Sequence, residues 1–251
     1  MRTDTTSLPI RFQEACNQAA LQEHQKTSIG TYGEKSVHAT LKRYFQPDTH
    51  FHEQPVAGYI ADICFGDEIY EIQTAHFYSL RKKLDAFLKE YQVTVVYPIP
   101  YMKWICWTDP DTGEVKERRR SPKKGRLQHI FPEIYRLRAY LRHPNLRFCI
   151  MLLDMEECRL LDGHGAERKK HSTKYDRIPT RLEQELWLRQ PSDYRQLLPE
   201  GLPEEFTARE FAKAARIPLK TAQTGLLLLT ELGIVNRIGK AERSYLYCTA
   251  L

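Results

Sequence analysis

The chain has 251 residues, of which 41% are hydrophobic, and its 38 Lys and Arg against 32 Asp and Glu give a formal net charge of +6. At about 150 residues per domain, this length allows one or two globular domains. The composition excludes collagen-like, fully disordered and disulfide-scaffold proteins. The apolar runs are too short to span a membrane, the first residues lack the apolar core of a signal peptide, and no CxxC zinc motif occurs. We therefore expect a cytoplasmic protein that does not associate with membranes.

The charge is distributed unevenly along the chain. Residues 1–100 hold 10 basic and 12 acidic residues, residues 101–200 hold 21 and 15, and residues 201–251 hold 7 and 5. A mildly acidic first part is thus followed by a basic remainder, which indicates a polyanionic partner such as nucleic acid. A basic solvated surface explains the same excess, so charge alone does not decide between them.

Hydrophobic periodicity and turn residues predict the order of elements in the first half of the chain. These are a helical arm in 1–27, a helix over 34–45, a strand-like run over 50–56, a β-hairpin over 58–74, a helix over 78–91 and a buried strand over 93–99. This order predicts an α/β core over about residues 28–100, in which a sheet packs against helices.

The next hundred residues begin with the strongest charge cluster in the chain. After a turn at 109–113, Lys116–Arg126 carries seven basic residues and one acidic residue, and we interpret this basic tract as a mobile loop or hairpin tip. The later predictions are a helix over 131–142, two successive strands within 146–161 and a polar loop over 163–179. We therefore expect an α/β domain over 28–190 with a basic insertion near 108–128, followed by a linker over 191–203.

The C-terminal segment, residues 204–251, has its own pattern. Thr207 and Glu210 form a capping box at the start of a helix over 208–215, and a second helix over 221–232 precedes two strands around a basic turn. This pattern resembles a winged-helix domain. The resemblance implies DNA contacts from the start of the second helix and from the wing, through Lys220, Thr221, Gln223, Arg237, Lys240 and Arg243. Winged helices also bind proteins, which remains the alternative for this segment.

Carboxylates mark the predicted hairpin. Asp62 lies on its first strand, and Glu71 and Gln73 lie two apart on the second, so they face the same side. Folding the hairpin over Gly66 and Asp67 brings Asp62 towards Glu71. Two neighbouring carboxylates in an apolar strand repel each other unless a cation lies between them, and their hard oxygen atoms suit Mg²⁺ or Mn²⁺.

These residues resemble the motif of the PD-(D/E)XK nuclease superfamily, and the order of elements is similar to Holliday-junction resolvases and restriction-endonuclease-like enzymes. Glu34 matches the helical Glu of that family, Asp62 its Asp, and Glu71 the first residue of its E-x-K. The resemblance implies a restriction-endonuclease-like mixed sheet flanked by helices, and metal ligation by Asp62, Glu71 and the Ile72 carbonyl.

The sequence departs from the family at Gln73, where Lys is usual. Glutamine can orient the attacking water but supplies no positive charge, so more of the chemistry would depend on the metal. His76 and Lys82 are the basic neighbours that we considered as compensation, and a surface position is the alternative for both.

The predicted function is therefore metal-dependent hydrolysis of DNA, duplex or branched, and a homodimer is expected by family analogy. In the basic tract we expect Arg118, Arg119, Arg120, Lys123, Lys124 and Arg126 to bind phosphates. Tyr101, Trp104 and Trp107 before the tract are predicted either to stack on bases or to pack in the protein. The alternatives are a catalytically inactive DNA-binding or regulatory protein and a winged-helix module that binds proteins.

Overall fold

The computed structural model describes residues 8–26, 35–163 and 172–250. It has a mixed α/β fold in which a large mixed sheet is flanked by helices. Within these residues, no helix combines the length and the apolar character needed to cross a membrane. The predicted fold class is confirmed at this level.

The helices are α1 Leu8–Lys26, α2 Ser36–Phe45, α3 Arg81–Phe87, α4 Phe131–Arg136, α5 Ala208–Ala215 and α6 Leu219–Glu231. The strands are β1 His52–Val56, β2 Tyr59–Phe65, β3 Glu68–Ile72, β4 Gln92–Thr108, β5 Val115–Arg120, β6 Leu146–Leu160, β7 Thr173–Leu188, β8 Glu205–Thr207, β9 Val235–Ala241 and β10 Ser244–Thr249. Short 3₁₀ helices lie before β1, α3 and α4, after α4, and at Pro191–Leu197.

Seven strands form the large sheet in the order β1-β2-β3-β4-β6-β7, with β5 paired to β4. Strand β3 pairs antiparallel with β2 and parallel with β4, so it has a neighbour on each side. A second sheet has the order β8-β10-β9 and belongs to the C-terminal segment, together with α5 and α6. Thr207 accepts a hydrogen bond from the Glu210 amide and forms the predicted capping box.

The described residues form two compact units, of which the first comprises those within 1–54, 100–125 and 151–185. Helix α1 packs on α2 there, with the Phe12 and Tyr44 rings 5.6 Å apart in an edge-on arrangement. The face of α2 that carries Val37, Leu41 and Tyr44 points inward, because all three residues are buried.

The second unit comprises residues 55–99, 126–150 and 186–251. Its core includes the stacked rings of Phe77 and Phe148, 6.2 Å apart. Helix α6 lies against α4, and a Cβ atom added at Gly225 would come within 3.0 Å of the Phe131 ring. The glycine thus permits the close approach of the two helices.

Several predicted elements were wrong in type or length. The basic tract was predicted as a loop or hairpin tip, but its first half is strand β5, paired with β4 from Trp104 to Thr108. The predicted loop over 163–179 contains the beginning of β7, and the two strands predicted within 146–161 are the single strand β6. The helices predicted over 78–91 and 131–142 are shorter, at 81–87 and 131–136, with 3₁₀ turns beside them.

A buried charge cluster stabilises the first unit. The side chain of Glu157 on β6 is fully buried; it accepts hydrogen bonds from Lys103 Nζ at 2.7 Å and Arg159 Nε at 2.8 Å, and it forms an ion pair with Arg177 at 3.6 Å. Burial alone would raise the pKa of Glu157, but the hydrogen bonds from Lys103 and Arg159 outweigh it and lower the pKa to about 2. The carboxylate therefore stays ionised in the fold.

We predict that Glu157→Gln lowers the free energy of unfolding at pH 7 by about 3 kcal/mol, because it leaves the buried Arg159 without its counter-ion. The lowered pKa stabilises the fold above the unfolded value near 4.5, and this contribution is lost as the pH falls towards about 2. Urea unfolding at pH 7, 5 and 3.5 should therefore show a shrinking difference from wild type. Glu156→Gln, which removes a more exposed carboxylate, should cost under about 1 kcal/mol, and a difference that grew on acidification would contradict the prediction.

Candidate active site

The hairpin of β2 and β3 brings the two predicted carboxylates together. Ile63 lies opposite Tyr70 and Cys64 opposite Ile69, and continuing this register by one residue puts Asp62 opposite Glu71. Directly paired residues of an antiparallel hairpin project from the same face. Asp62 Oδ2 also accepts a hydrogen bond from the Ile72 backbone amide at 2.7 Å, so Asp62, Glu71 and Ile72 lie close together.

A lysine that the sequence prediction missed contacts this site from α3. Lys83 Nζ lies 3.0 Å from Glu71 Oε1 and 2.8 Å from Oε2, and it also donates to the Ile60 carbonyl at 2.6 Å. The Glu71 side chain is 3% exposed and that of Lys83 is 27% exposed. One face of the ammonium group is thus held on the carboxylate while the rest of the side chain reaches solvent.

The spacing along α3 contains the signal that identifies Lys83. Leu80, Leu84 and Phe87 are buried, and Lys83 is three residues after Leu80 and four before Phe87, so it lies on the same helix stripe. A lysine within an apolar stripe requires a buried acceptor or an outward path for its ammonium group. Lys82, which the sequence prediction considered instead, is exposed.

Glu71 is short of positive charge despite this contact. Burial is the main cause that raises its pKa to about 7, and repulsion from Asp62 raises it further, while the hydrogen bond and charge of Lys83 lower it. One lysine therefore does not compensate two carboxylates and the loss of water around Glu71. An additional cation would stabilise the ionised pair.

Gln73 and His76, the other residues considered for catalysis that the structure describes, lie between β3 and α3. The side-chain amide of Gln73 donates to the Ala75 carbonyl at 2.5 Å. Its backbone amide donates to the Val96 carbonyl, which holds Gln73 at the end of β3. His76 is exposed and has a left-handed backbone with φ 61°, so it serves the turn into α3. Glu34 lies outside the described residues.

The carboxylates of this site fit a divalent cation only in part. Within the described ranges, no group of three or more His, Cys, Asp or Glu side chains is arranged to hold a metal ion. Asp62 and Glu71 offer two hard carboxylates, which fit Mg²⁺ or Mn²⁺. Because Lys83 contacts both Glu71 oxygens, a metal there requires Lys83 to move aside or to share the carboxylate.

Strand geometry divides the basic tract between two faces. Arg120 lies opposite Trp104 and Arg118 opposite Cys106, whereas Arg119 lies opposite Ile105. Arg118 and Arg120 therefore share the face of Trp104, and Arg119 projects from the other. The Arg118 guanidinium lies 5.1 Å from the Trp104 ring centre and also pairs with Glu156 at 2.8 Å.

The remaining residues predicted to contact nucleic acid from the basic tract are exposed or partly exposed. Lys123 and Lys124 are exposed and Arg126 is partly exposed; Lys124 Nζ lies 4.0 Å from the Tyr101 ring centre. Trp107 is 4% exposed, so of the two predicted alternatives it packs inside the protein.

The C-terminal segment presents most of its predicted contacts to solvent. Lys220 and Gln223 on α6 are exposed, Thr221 is partly exposed, and Arg243 lies in the exposed turn between β9 and β10. Arg237 and Lys240 on β9 lie 4.3 and 5.5 Å from the Tyr245 ring centre. The hairpin of β9 and β10 thus carries an exposed tyrosine flanked by cations.

The chain is similar to proteins of one family. The family described as "Domain of unknown function (DUF8091)" matches residues 35–189, a span that includes Asp62, Glu71 and Lys83 and ends before β8. A relative from Treponema pallidum (strain Nichols), named "Uncharacterized protein", is 32% identical over 187 residues, which is 74% of this chain and 74% of the relative. No solved structure matches the chain.

We predict that Lys83→Met lowers the free energy of unfolding at pH 8 by about 1–3 kcal/mol, because Glu71 then keeps a buried charge without its partner. Lys82→Met changes the neighbouring exposed lysine and should stay within about 0.5 kcal/mol of wild type. Urea unfolding in the presence of EDTA measures both, and Glu71→Gln added to Lys83→Met should recover part of the loss. Equal losses for the two lysine variants would refute the role of the Lys83–Glu71 contact.

Proposed function

The chain belongs to the family described as "Domain of unknown function (DUF8091)", and since that description assigns no activity, we propose a function from the candidate active site: metal-dependent endonucleolytic hydrolysis of DNA phosphodiester bonds. The observation that carries the proposal is the Asp62–Glu71 pair with Lys83 held on Glu71. Together with Gln73, these residues would supply the acidic and basic groups that the E-x-K motif supplies in the PD-(D/E)XK superfamily, which this sequence resembles. In this proposal the large sheet is of the restriction-endonuclease-like kind.

Each side chain has a role that its surroundings support. Asp62 and Glu71 would hold Mg²⁺ or Mn²⁺, which when bound stabilises the negative charge of the reacting phosphate and lowers the pKa of water. Lys83 supplies the positive charge that Gln73 lacks, and its ammonium contacts with Glu71 and the Ile60 carbonyl fix where that charge lies. The Gln73 amide donates to Ala75, which leaves its carbonyl oxygen to accept a hydrogen bond from a water molecule.

The basic surfaces support a DNA substrate. The face of Arg118, Arg120 and Trp104 combines cations for phosphates with a partly exposed ring. In our proposal the C-terminal segment is a winged helix, with α6 offered to a groove and Arg237 and Lys240 to the backbone. The order β8, α5, α6, β9, β10 and the three-stranded sheet support that assignment.

One observation favours a second function, that of a catalytically inactive DNA-binding or regulatory protein. Lys83 donates to both oxygens of Glu71 at 3.0 and 2.8 Å, so it occupies the carboxylate that a metal ligand would need. The two functions differ in one respect that can be measured, namely turnover in the presence of a divalent cation.

We predict Mg²⁺- or Mn²⁺-dependent cleavage of duplex or branched DNA that falls at least about 100-fold in Asp62→Asn and in Glu71→Gln. These substitutions keep side-chain size, so the fold and DNA affinity should be retained. Asp67→Asn, in the exposed hairpin turn, is the matched control and should cleave as wild type does. Cleavage unchanged in both site variants would exclude this active site, and salt-sensitive DNA binding without cleavage under either metal would establish the inactive alternative.

We predict that DNA contacts the Trp104 face of β5. Each arginine–phosphate contact contributes about 0.9 to the slope of log affinity against log salt, so Arg118→Gln with Arg120→Gln should reduce that slope by about 2. Arg119→Gln removes an equally charged side chain from the opposite face and should leave the slope unchanged. Fluorescence anisotropy over a salt series gives the slopes, and an equal reduction in Arg119→Gln would contradict the choice of face.

A further inference from the structure

The second unit contains a cavity of about 320 Å³ that does not involve Asp62, Glu71 or Lys83. Residues 141–144 and Leu146, which lead into β6, line one side of it, and residues 188–191 and Tyr194, from the end of β7 into the following 3₁₀ helix, line the other. Its volume lies near the lower end of small-molecule sites in proteins, roughly 300–1,000 Å³. It is thus large enough for a small ligand.

The charged lining of the cavity has one sign only. Arg142 and Arg189 line it, and no acidic residue is among its ten lining residues. Arg142 donates to the Glu231 carbonyl at 2.6 Å, and the Arg189 guanidinium lies 4.9 Å from the Trp187 ring centre. Both guanidinium groups therefore contact neutral groups, and neither forms an ion pair within the described part of the chain. The neighbouring Asp193 carboxylate accepts hydrogen bonds from the backbone amides of Arg189 and Gln190. Guanidinium groups in this state favour an anion.

Two neutral donors line the same cavity. His143 Nδ1 accepts a hydrogen bond from the Asn145 amide at 3.2 Å, which leaves the ring hydrogen on Nε2. Tyr194 lines the cavity with a side chain that is 4% exposed, and its hydroxyl bonds no residue that the structure describes. This hydroxyl is therefore available to donate a hydrogen bond to a ligand in the cavity.

The rest of the lining is apolar and suits the body of a ligand. It consists of Leu141, Pro144, Leu146, Leu188 and Pro191. A ligand that matches both parts combines a compact anionic head with an uncharged organic body. A phosphate monoester does so, because its dianion takes two guanidinium groups and its remaining oxygens accept from neutral donors.

We propose that this cavity is a phosphate-monoester site in which Arg142 and Arg189 bind the phosphate, and His143 and Tyr194 donate hydrogen bonds to it. The same chemistry comes from two sources, a free nucleoside 5′-monophosphate and the 5′-phosphate at the end of a nucleic-acid strand. The site stands independently of the proposed nuclease function, because it shares no residue with Asp62, Glu71 and Lys83.

Isothermal titration calorimetry of the full chain with adenosine 5′-monophosphate tests the site. Wild type should bind it with a Kd below about 1 mM, and adenosine, which lacks the anion, should bind at least about 10-fold more weakly. Arg189→Gln should weaken binding at least about 10-fold. Arg195→Gln is the matched control, because this exposed arginine lies on the 3₁₀ helix that carries Tyr194, does not line the cavity and donates to the Ala250 carbonyl.

Tyr194→Phe separates a ligand contact from a folding defect. It removes a hydroxyl that bonds no described residue, so the unfolding midpoint should not fall while nucleotide affinity drops several-fold. Wild-type binding in Arg189→Gln, equal affinity for adenosine and its monophosphate, or no binding of the monophosphate at about 10 mM would each overturn the proposal.

Oligonucleotides of one sequence, with a 5′-phosphate or a 5′-hydroxyl, distinguish the two sources in Arg195→Gln and Arg189→Gln proteins. For a strand end, the phosphorylated oligonucleotide should bind more tightly than the mononucleotide and lose that advantage in Arg189→Gln. For a free nucleotide, the mononucleotide should bind at least as tightly, and the 5′-phosphate should make no difference to the oligonucleotide. Both outcomes support the site and assign its source.

Discussion

The buried carboxylate of Glu71 is the constraint on which the candidate site depends. Strand β3 has a neighbour on each side, β2 and β4, so a side chain on its covered face loses its water. Ionised Glu71 persists there only if positive charge comes to it. The chain meets this need by turning sharply at His76 and directing Lys83 of α3 back to the strand.

Two buried carboxylates of this protein are compensated to different extents. Glu157 has three cations around it and a pKa lowered to about 2, whereas Glu71 has one lysine, a carboxylate neighbour and a pKa raised to about 7. The first arrangement is complete and needs no further ion. The second keeps a deficit of positive charge, which is the condition under which a site gains from binding a cation.

The sequence predicted correctly those elements that have a local signal, such as turn residues or a run of β-branched residues. The hairpin around Gly66 and the run Val93–Ile99 are local signals of turn chemistry and β-branched burial, and both elements are present. Strand β5 has no such signal, because all six of its residues are exposed and backbone pairing with β4 alone makes it a strand. A charged edge strand and a charged loop have the same composition, so only the pairing partner distinguishes them.

The same reasoning explains why Asp62 and Glu71 were predicted and Lys83 was not. The carboxylates face each other through a two-residue turn, so hairpin geometry alone pairs them. Lys83 reaches Glu71 only because Leu84 and Phe87 fix the rotation of α3, which is a tertiary effect. The spacing of Leu80, Leu84 and Phe87 nevertheless predicts the apolar stripe from sequence alone, and a lysine within such a stripe indicates a buried acid nearby. In a hairpin that already carries two acids, a lysine on the apolar stripe of the following helix is therefore the residue to examine first.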